Sequence, residues 1–233
     1  MHIFITGVSK GLGKEFVDYF LTAGHLVTGI GRSHSFDHTN FNFIHCDLSN
    51  VNEVKSVKFD SKENEVVLIN NAGAIGNIQR VSDQHESDIQ EVMTVNTISP
   101  MILCQEFLRQ SALEKKLTII NISSGAANRP IPSWAAYCSS KIAMDRFSET
   151  IYLEEQEKGR NINVFAIAPG VVDTSMQKKI RAAKKVDFSS VDNFIGYHEN
   201  GELIAPKDAV FEIVKLISRL ESLPVICTIK DMN

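Results

Sequence analysis

His2-Ile3-Phe4-Ile5-Thr6-Gly7-Val8-Ser9-Lys10-Gly11-Leu12-Gly13 runs an apolar strand straight into a glycine-spaced turn and the start of a helix. Glycines at this spacing permit a tight turn, close approach of a phosphate to the backbone, and tight packing of helix on strand. The free N–H groups and dipole of the helix start then face an anion, the arrangement that holds a dinucleotide pyrophosphate. Gly7, Ser9, Lys10, Gly11, Leu12 and Gly13 are the candidate contacts, and the plainer reading is a turn with no ligand.

Outward from this unit, short β-branched runs alternate with amphipathic stretches to the end of the chain. Strands are predicted at 2–6, 26–31, 43–46, 66–70, 117–123, 163–168 and 225–229. Helices are predicted at 12–23, 51–57, 87–113 with a break, 139–157 and 208–220, the last with Phe211, Val214 and Ile217 on one face. Near-continuous apolarity, as in Val66-Val67-Leu68-Ile69, suits parallel strands covered on both sides. The expectation is an α/β fold, a doubly wound seven-stranded parallel sheet forming one domain over residues 1–233. Residues 171–203, rich in Lys, Asp, Asn and Ser, interrupt the alternation after a strand end and read as a lid.

At the end of the second strand, an NAD site needs an Asp or Glu for the adenosine ribose. The chain has Gly31-Arg32-Ser33 there. Arg32, with Lys10 on the same side, suits a 2′-phosphate through charge-assisted hydrogen bonds and favours NADP(H), unless both are solvated surface charges.

Ile122-Ser123-Ser124-Gly125 is followed by Ala135-Ala136-Tyr137-Cys138-Ser139-Ser140-Lys141. Tyr137 and Lys141 share a helix face at this spacing, and a strand ending at Ser124 brings a hydroxyl to the same pocket. A free phenol titrates at about 10, so a nearby ammonium is expected to lower Tyr137 toward a useful proton donor. Taken alone, Y-x-x-x-K also recurs by chance in helices.

The 233 residues carry a net charge of −4, with no basic block, so a nucleic-acid partner is not expected. The amino-terminal residues lack a charged-then-apolar leader and no long apolar run occurs, so a cytoplasmic location without membrane insertion is expected. Cys46, Cys104, Cys138 and Cys227 are scattered, away from metal-ligand spacing, and read as reduced thiols. His34 and His38 fall in a polar loop.

In order and spacing, the glycine loop, Ser124, Tyr137 and Lys141 resemble the short-chain dehydrogenase/reductase family. Asn70-Asn71-Ala72-Gly73, Val95-Asn96-Thr97 and Pro169-Gly170-Val171-Val172-Asp173-Thr174 look like further motifs of that family. The resemblance implies that Tyr137 protonates a carbonyl oxygen that Ser124 also binds. It further implies that Lys141 holds the nicotinamide ribose and that Asn96 keeps a water for a proton relay. Asn96 has a structural reading too, as the partner of a helix break. By the same resemblance Asp47 and Leu48 meet the adenine, Asn71, Ala72 and Gly73 line the cofactor beside it, and Pro169, Gly170, Val172 and Thr174 cradle the nicotinamide.

Ser123-Ser124-Gly125-Ala126-Ala127, Trp134 and Asp173-Thr174-Ser175-Met176-Gln177 look like the benzil reductase and sepiapterin reductase branch. Sepiapterin reductases carry an acid in the last strand, where this chain has Thr228. Ser124, Gly125, Trp134 and Met176 are the expected substrate contacts. The resemblance implies an NADPH-dependent reductase of small ketones or vicinal diketones, working as a homodimer or homotetramer. Two alternatives stay open: a 3-oxoacyl thioester reductase, whose acidic carrier would meet Lys178, Lys179, Arg181, Lys184 and Lys185, and a non-catalytic NADPH sensor.

Overall fold

A computed structural model of the chain describes residues 1–218 and 223–229. Seven strands form one sheet in the order β3-β2-β1-β4-β5-β6-β7, every neighbouring pair parallel. They are β1 His2–Thr6, β2 Leu26–Gly31, β3 Phe41–His45, β4 Glu65–Asn70, β5 Lys116–Ile122, β6 Ile162–Ala168 and β7 Ile226–Thr228. The expected doubly wound sheet is thus the observed one.

The helices are α1 Gly11–Thr22, α2 Val51–Lys55, α3 Glu86–Met93, α4 Ser99–Gln110, α5 Ala135–Glu157, α6 Ser175–Arg181, α7 Val191–Glu199 and α8 Pro206–Ser218. On one sheet face, Phe16 and Phe20 of α1 meet Val210 and Ile213 of α8. On the other, Leu103 and Phe107 of α4 and Ile151 of α5 cover Leu68 and Ile119. Both faces of β4 and β5 are therefore sealed, which accounts for their unbroken apolar runs.

Three local features refine the sequence reading. The break expected in 87–113 is a π-turn, Thr94–Ile98, with Pro100 opening α4, where its missing N–H costs nothing. α5 begins at Ala135, four residues earlier than expected, so Tyr137 lies on the helix with Lys141. The 171–203 stretch contains α6 and α7, which Ile180, Val191 and Phe194 bury against Trp134 and Phe188. A parallel bridge between Val172 and Ile204 closes the base of this excursion. The last two residues expected in the final helix, 219 and 220, lie outside the described residues.

The β1–α1 turn is fixed by backbone chemistry. Gly7 sits at φ +73°, in the left-handed region, and the Asn71 amide donates to the carbonyls of Thr6 (2.9 Å) and Gly7 (3.2 Å). A Cβ at Gly13 would stand 2.1 Å from the Gly7 carbonyl oxygen and 2.5 Å from Asn71 Nδ2. Gly13→Ala is expected to cost about 1–3 kcal/mol, as overpacking does. That corresponds to a fall in Tm of roughly 2–10 °C, read by thermal unfolding.

Candidate active site

The carboxyl ends of the central strands open into a cleft of about 1030 Å³. In an open parallel sheet this is where ligands bind, because the chain reverses its winding between β1 and β4 and leaves a crevice there. Gly7, Ser9, Lys10, Gly11 and Leu12 form one end with Arg32, Asp47 and Leu48; Asn71, Ala72 and Gly73 form the floor. Pro169, Gly170, Val172 and Thr174 form the facing wall, and Ser124, Gly125, Trp134, Tyr137, Lys141 and Met176 the far end.

Two expected contacts are absent from the lining. Gly13 acts by packing alone, since its bare Cα lets α1 sit on the Gly7 carbonyl. Asn96, 2% exposed, spends its side chain on structure: Oδ1 accepts from Ala74 N (2.7 Å), and Nδ2 donates to Ala74 O (2.8 Å) and Ser140 Oγ (3.1 Å). The amide thereby ties the π-turn to Ala74, just after the Asn71–Gly73 turn, and to Ser140 of α5.

Ser124 ends the β5 segment and caps a single 3₁₀ turn, its Oγ accepting from Ala126 N at 3.2 Å. Tyr137 and Lys141 stand one turn apart on α5, both buried. Lys141 Nζ donates to the Ile122 carbonyl at 2.8 Å, which pins α5 to the end of β5 two residues before Ser124. The Tyr137 ring packs edge-on against Trp134 at 5.6 Å, and Trp134 stacks on Phe188, between α6 and α7, at 5.4 Å.

The expected acidification of Tyr137 does not hold in this structure. Burial raises the phenol above its ordinary value, against a smaller opposite pull from the Ser124 hydroxyl. The Lys141 ammonium lies 5.7 Å from the ring centroid, with the Ile122 carbonyl as its hydrogen-bond partner. Tyr137 is thus a protonated donor at neutral pH. Burial lowers Lys141 to about 8, while the Asp145 carboxylate favours its charged form.

Asp145 escaped the sequence reading, although it lies four residues after Lys141 and so on the same helix face. It is 5% exposed and accepts a short hydrogen bond from Ser123 Oγ. Gln177, quoted only as part of the Asp173–Gln177 stretch and given no role there, also lines the cleft from α6. Arg32 and Lys10 are exposed at the opposite end and form no ion pair among the described residues. Asp47 Oδ1 accepts from both the N–H (2.9 Å) and the hydroxyl (2.8 Å) of Ser49, which with Arg32 keeps its carboxyl below the usual range.

Cys46, Cys104 and Cys138 are free thiols. Burial pushes Cys46 up to about 11 and Cys104 up to about 12, so neither is a ready nucleophile. Among the described residues no cluster of His, Cys, Asp and Glu suits a metal ion, and no helix is long and apolar enough to cross a membrane.

Residues 1–185 match the family model of the short chain dehydrogenases. The chain belongs to that family. It is an oxidoreductase acting on carbonyl or alcohol groups, and its family binds NAD(P)H. It is 33% identical over 225 residues to the benzil reductase ((S)-benzoin forming) of Bacillus subtilis, covering 92% of each chain. It is 30% identical over 199 residues to the sepiapterin reductase of Xenopus laevis, covering 75% of this chain and 74% of that one. Among solved structures, a short-chain dehydrogenase/reductase of Saccharomyces cerevisiae superposes with a TM-score of 0.81 at 26% identity, over 98% of this chain and 95% of that one. The relatives agree with the branch that the Ser123–Ala127 and Asp173–Gln177 stretches resemble.

Buried Lys141 gives a stability test. Its folded value, about 8, lies below the ordinary 10.5, so the folded chain binds fewer protons than the unfolded chain between those values. Its contribution to stability accordingly rises with pH across that window. Urea midpoints measured from pH 7 to 10.5 are expected to show a smaller rise in Lys141→Met than in the unsubstituted protein. In Asp145→Asn the rise is expected to begin at lower pH, and equal pH slopes in all three proteins would contradict the assignment.

Proposed function

We propose that this short-chain dehydrogenase/reductase uses NADPH to reduce small, fairly apolar ketones or vicinal diketones. The observation that carries the proposal is the convergence of Ser124, Tyr137 and Lys141 at one end of a cleft whose other end is a glycine turn with two unpaired cations. The residues present fit the cofactor: the bare glycine turn admits a pyrophosphate at the α1 N-terminus, and Arg32 and Lys10 stand where a 2′-phosphate needs counter-charge. Bound there, the nicotinamide supplies a hydride.

The protein's own part is proton transfer and positioning. Tyr137, held protonated by burial, donates its hydroxyl proton to the substrate oxygen as the carbonyl becomes an alcohol. Ser124 hydrogen-bonds the same oxygen and fixes its place. Lys141, buried behind the phenol, carries the positive charge that stabilises the phenolate left by the transfer and orients the ribose. Trp134 and Met176 supply the apolar wall that an aryl or alkyl ketone requires. The lid segment 171–203 excludes water from this end, and exposed Ile142 and Leu153 on α5 support self-association as a homodimer or homotetramer.

The 3-oxoacyl alternative needs a free basic patch at the entrance. Of its five cations, Arg181 lies 4.0 Å from Asp173 and Lys185 is paired with Asp192, which leaves a weaker attraction for an acidic carrier. The sensor alternative gives no role to the buried phenol and ammonium.

Two variants test the proposal. Tyr137→Phe is expected to lower kcat for benzil reduction about 10²- to 10⁴-fold, followed by NADPH absorbance, and undiminished turnover would remove the assigned donor. Arg32→Asp is expected to lower the kcat/KM preference for NADPH over NADH about 10- to 100-fold, as loss of a charge-assisted hydrogen bond of about 1.5–3 kcal/mol implies. A preference equal to that of the unsubstituted enzyme would contradict the role of Arg32.

A further inference from the structure

The far end of the cleft contains a polar side chain that nothing in the proton-transfer scheme uses. Gln177, on the inward face of α6, is 9% exposed and lines the same cleft as Ser124 and Tyr137. Its Oε1 is fully buried without a hydrogen-bond partner, and its amide makes no other hydrogen bond among the described residues. A second orphan stands in the same wall: Trp134 Nε1, buried and unpartnered in a ring that is 5% exposed. A buried polar atom left unpaired costs about 1–3 kcal/mol, so two in one ligand cleft need a reason.

We propose that Gln177 is a specificity-determining residue, which binds a second oxygen on the substrate next to the carbonyl that Ser124 and Tyr137 engage. This deepens the carbonyl-reductase reading and rests on it. A carboxamide suits both ends of such a reaction. Its N–H donates to the second carbonyl oxygen of a diketone, and its oxygen, after a turn of the amide, accepts from the hydroxyl of a hydroxy-ketone. The Trp134 indole N–H is a further donor in the same wall. Beyond the glycine turn, Arg32 and Asp47, the other charged groups lining the cleft, namely Glu91, Arg129 and Lys179, are exposed, so the buried wall recognises neutral oxygens by hydrogen bonding. A monoketone of the same shape leaves the amide unpaired, and sites built to bond a substrate oxygen discriminate against analogues lacking it.

The test compares benzil with benzyl phenyl ketone, which replaces one carbonyl by a methylene at nearly constant size. The kcat/KM ratio of the two substrates is measured for the unsubstituted enzyme and for Gln177→Met, which keeps length and removes the amide. That ratio is expected to fall about tenfold in the variant, mainly through KM for benzil. Gln177→Glu keeps the shape but replaces the donor with an anion, and the ratio is expected to fall at least as far; it answers the question if the Met variant fails to fold. NADPH binding by fluorescence shows that each variant is intact. A ratio unchanged in a folded variant overturns the role of Gln177 alone. An unsubstituted enzyme that turns over neither ketone overturns the parent reading, and this inference with it.

Discussion

A buried ammonium must find an acceptor, and Lys141 finds the carbonyl of Ile122. That hydrogen bond joins the face of α5 to the carboxyl end of β5, the two elements that present the phenol and the hydroxyl. Ser124 follows Ile122 by two residues and Tyr137 precedes Lys141 by one helical turn, so the positions of both reacting groups depend on the same contact. Asp145 extends it by a further turn, accepting from Ser123 while favouring the charge on Lys141. The result is a stack in which Lys141 and Asp145 of α5 are each paired with a group at the end of β5.

The burial that makes this arrangement rigid also sets its acid–base behaviour. Desolvation disfavours charge on either group, raising the phenol and lowering the amine, so the phenol holds its proton more tightly than the amine does, the reverse of their order in water. A phenol that holds its proton until a negative charge develops on a neighbouring oxygen suits reduction. The ring contacts of Tyr137 with Trp134 and of Trp134 with Phe188 carry this apolar environment outward to the segment between α6 and α7.

Most of the framework was legible in the sequence because parallel strands buried on both faces leave unbroken aliphatic runs, and all seven appear within about two residues of their expected limits. The glycine turn and the Ser124, Tyr137, Lys141 set each had a simpler reading, and what set them apart was their joint order along the chain. The early start of α5 was missed because Ala135 and Ala136 carry no capping signal, and Trp134 makes no side-chain cap. α6 and α7 were missed because they are short and their apolar residues pack against a cleft wall and the Trp134 cluster, away from the sheet. The fate of Asn96 was legible only as one of two readings, and that of Gly13 less so: whether an amide or a bare Cα serves ligand or backbone depends on Ala74, 22 residues from Asn96, and on Gly7 and the distant Asn71 around Gly13. Nor does sequence reveal that the phenol is raised, since desolvation depends on the tertiary packing around Tyr137.

The account stands or falls on where a substrate oxygen sits. A crystal structure of the protein with NADP⁺ and benzil is predicted to place one benzil oxygen within about 2.6–3.2 Å of both Tyr137 Oη and Ser124 Oγ, with Lys141 Nζ behind the phenol. Benzil bound with both of its oxygens out of reach of Tyr137 would contradict it.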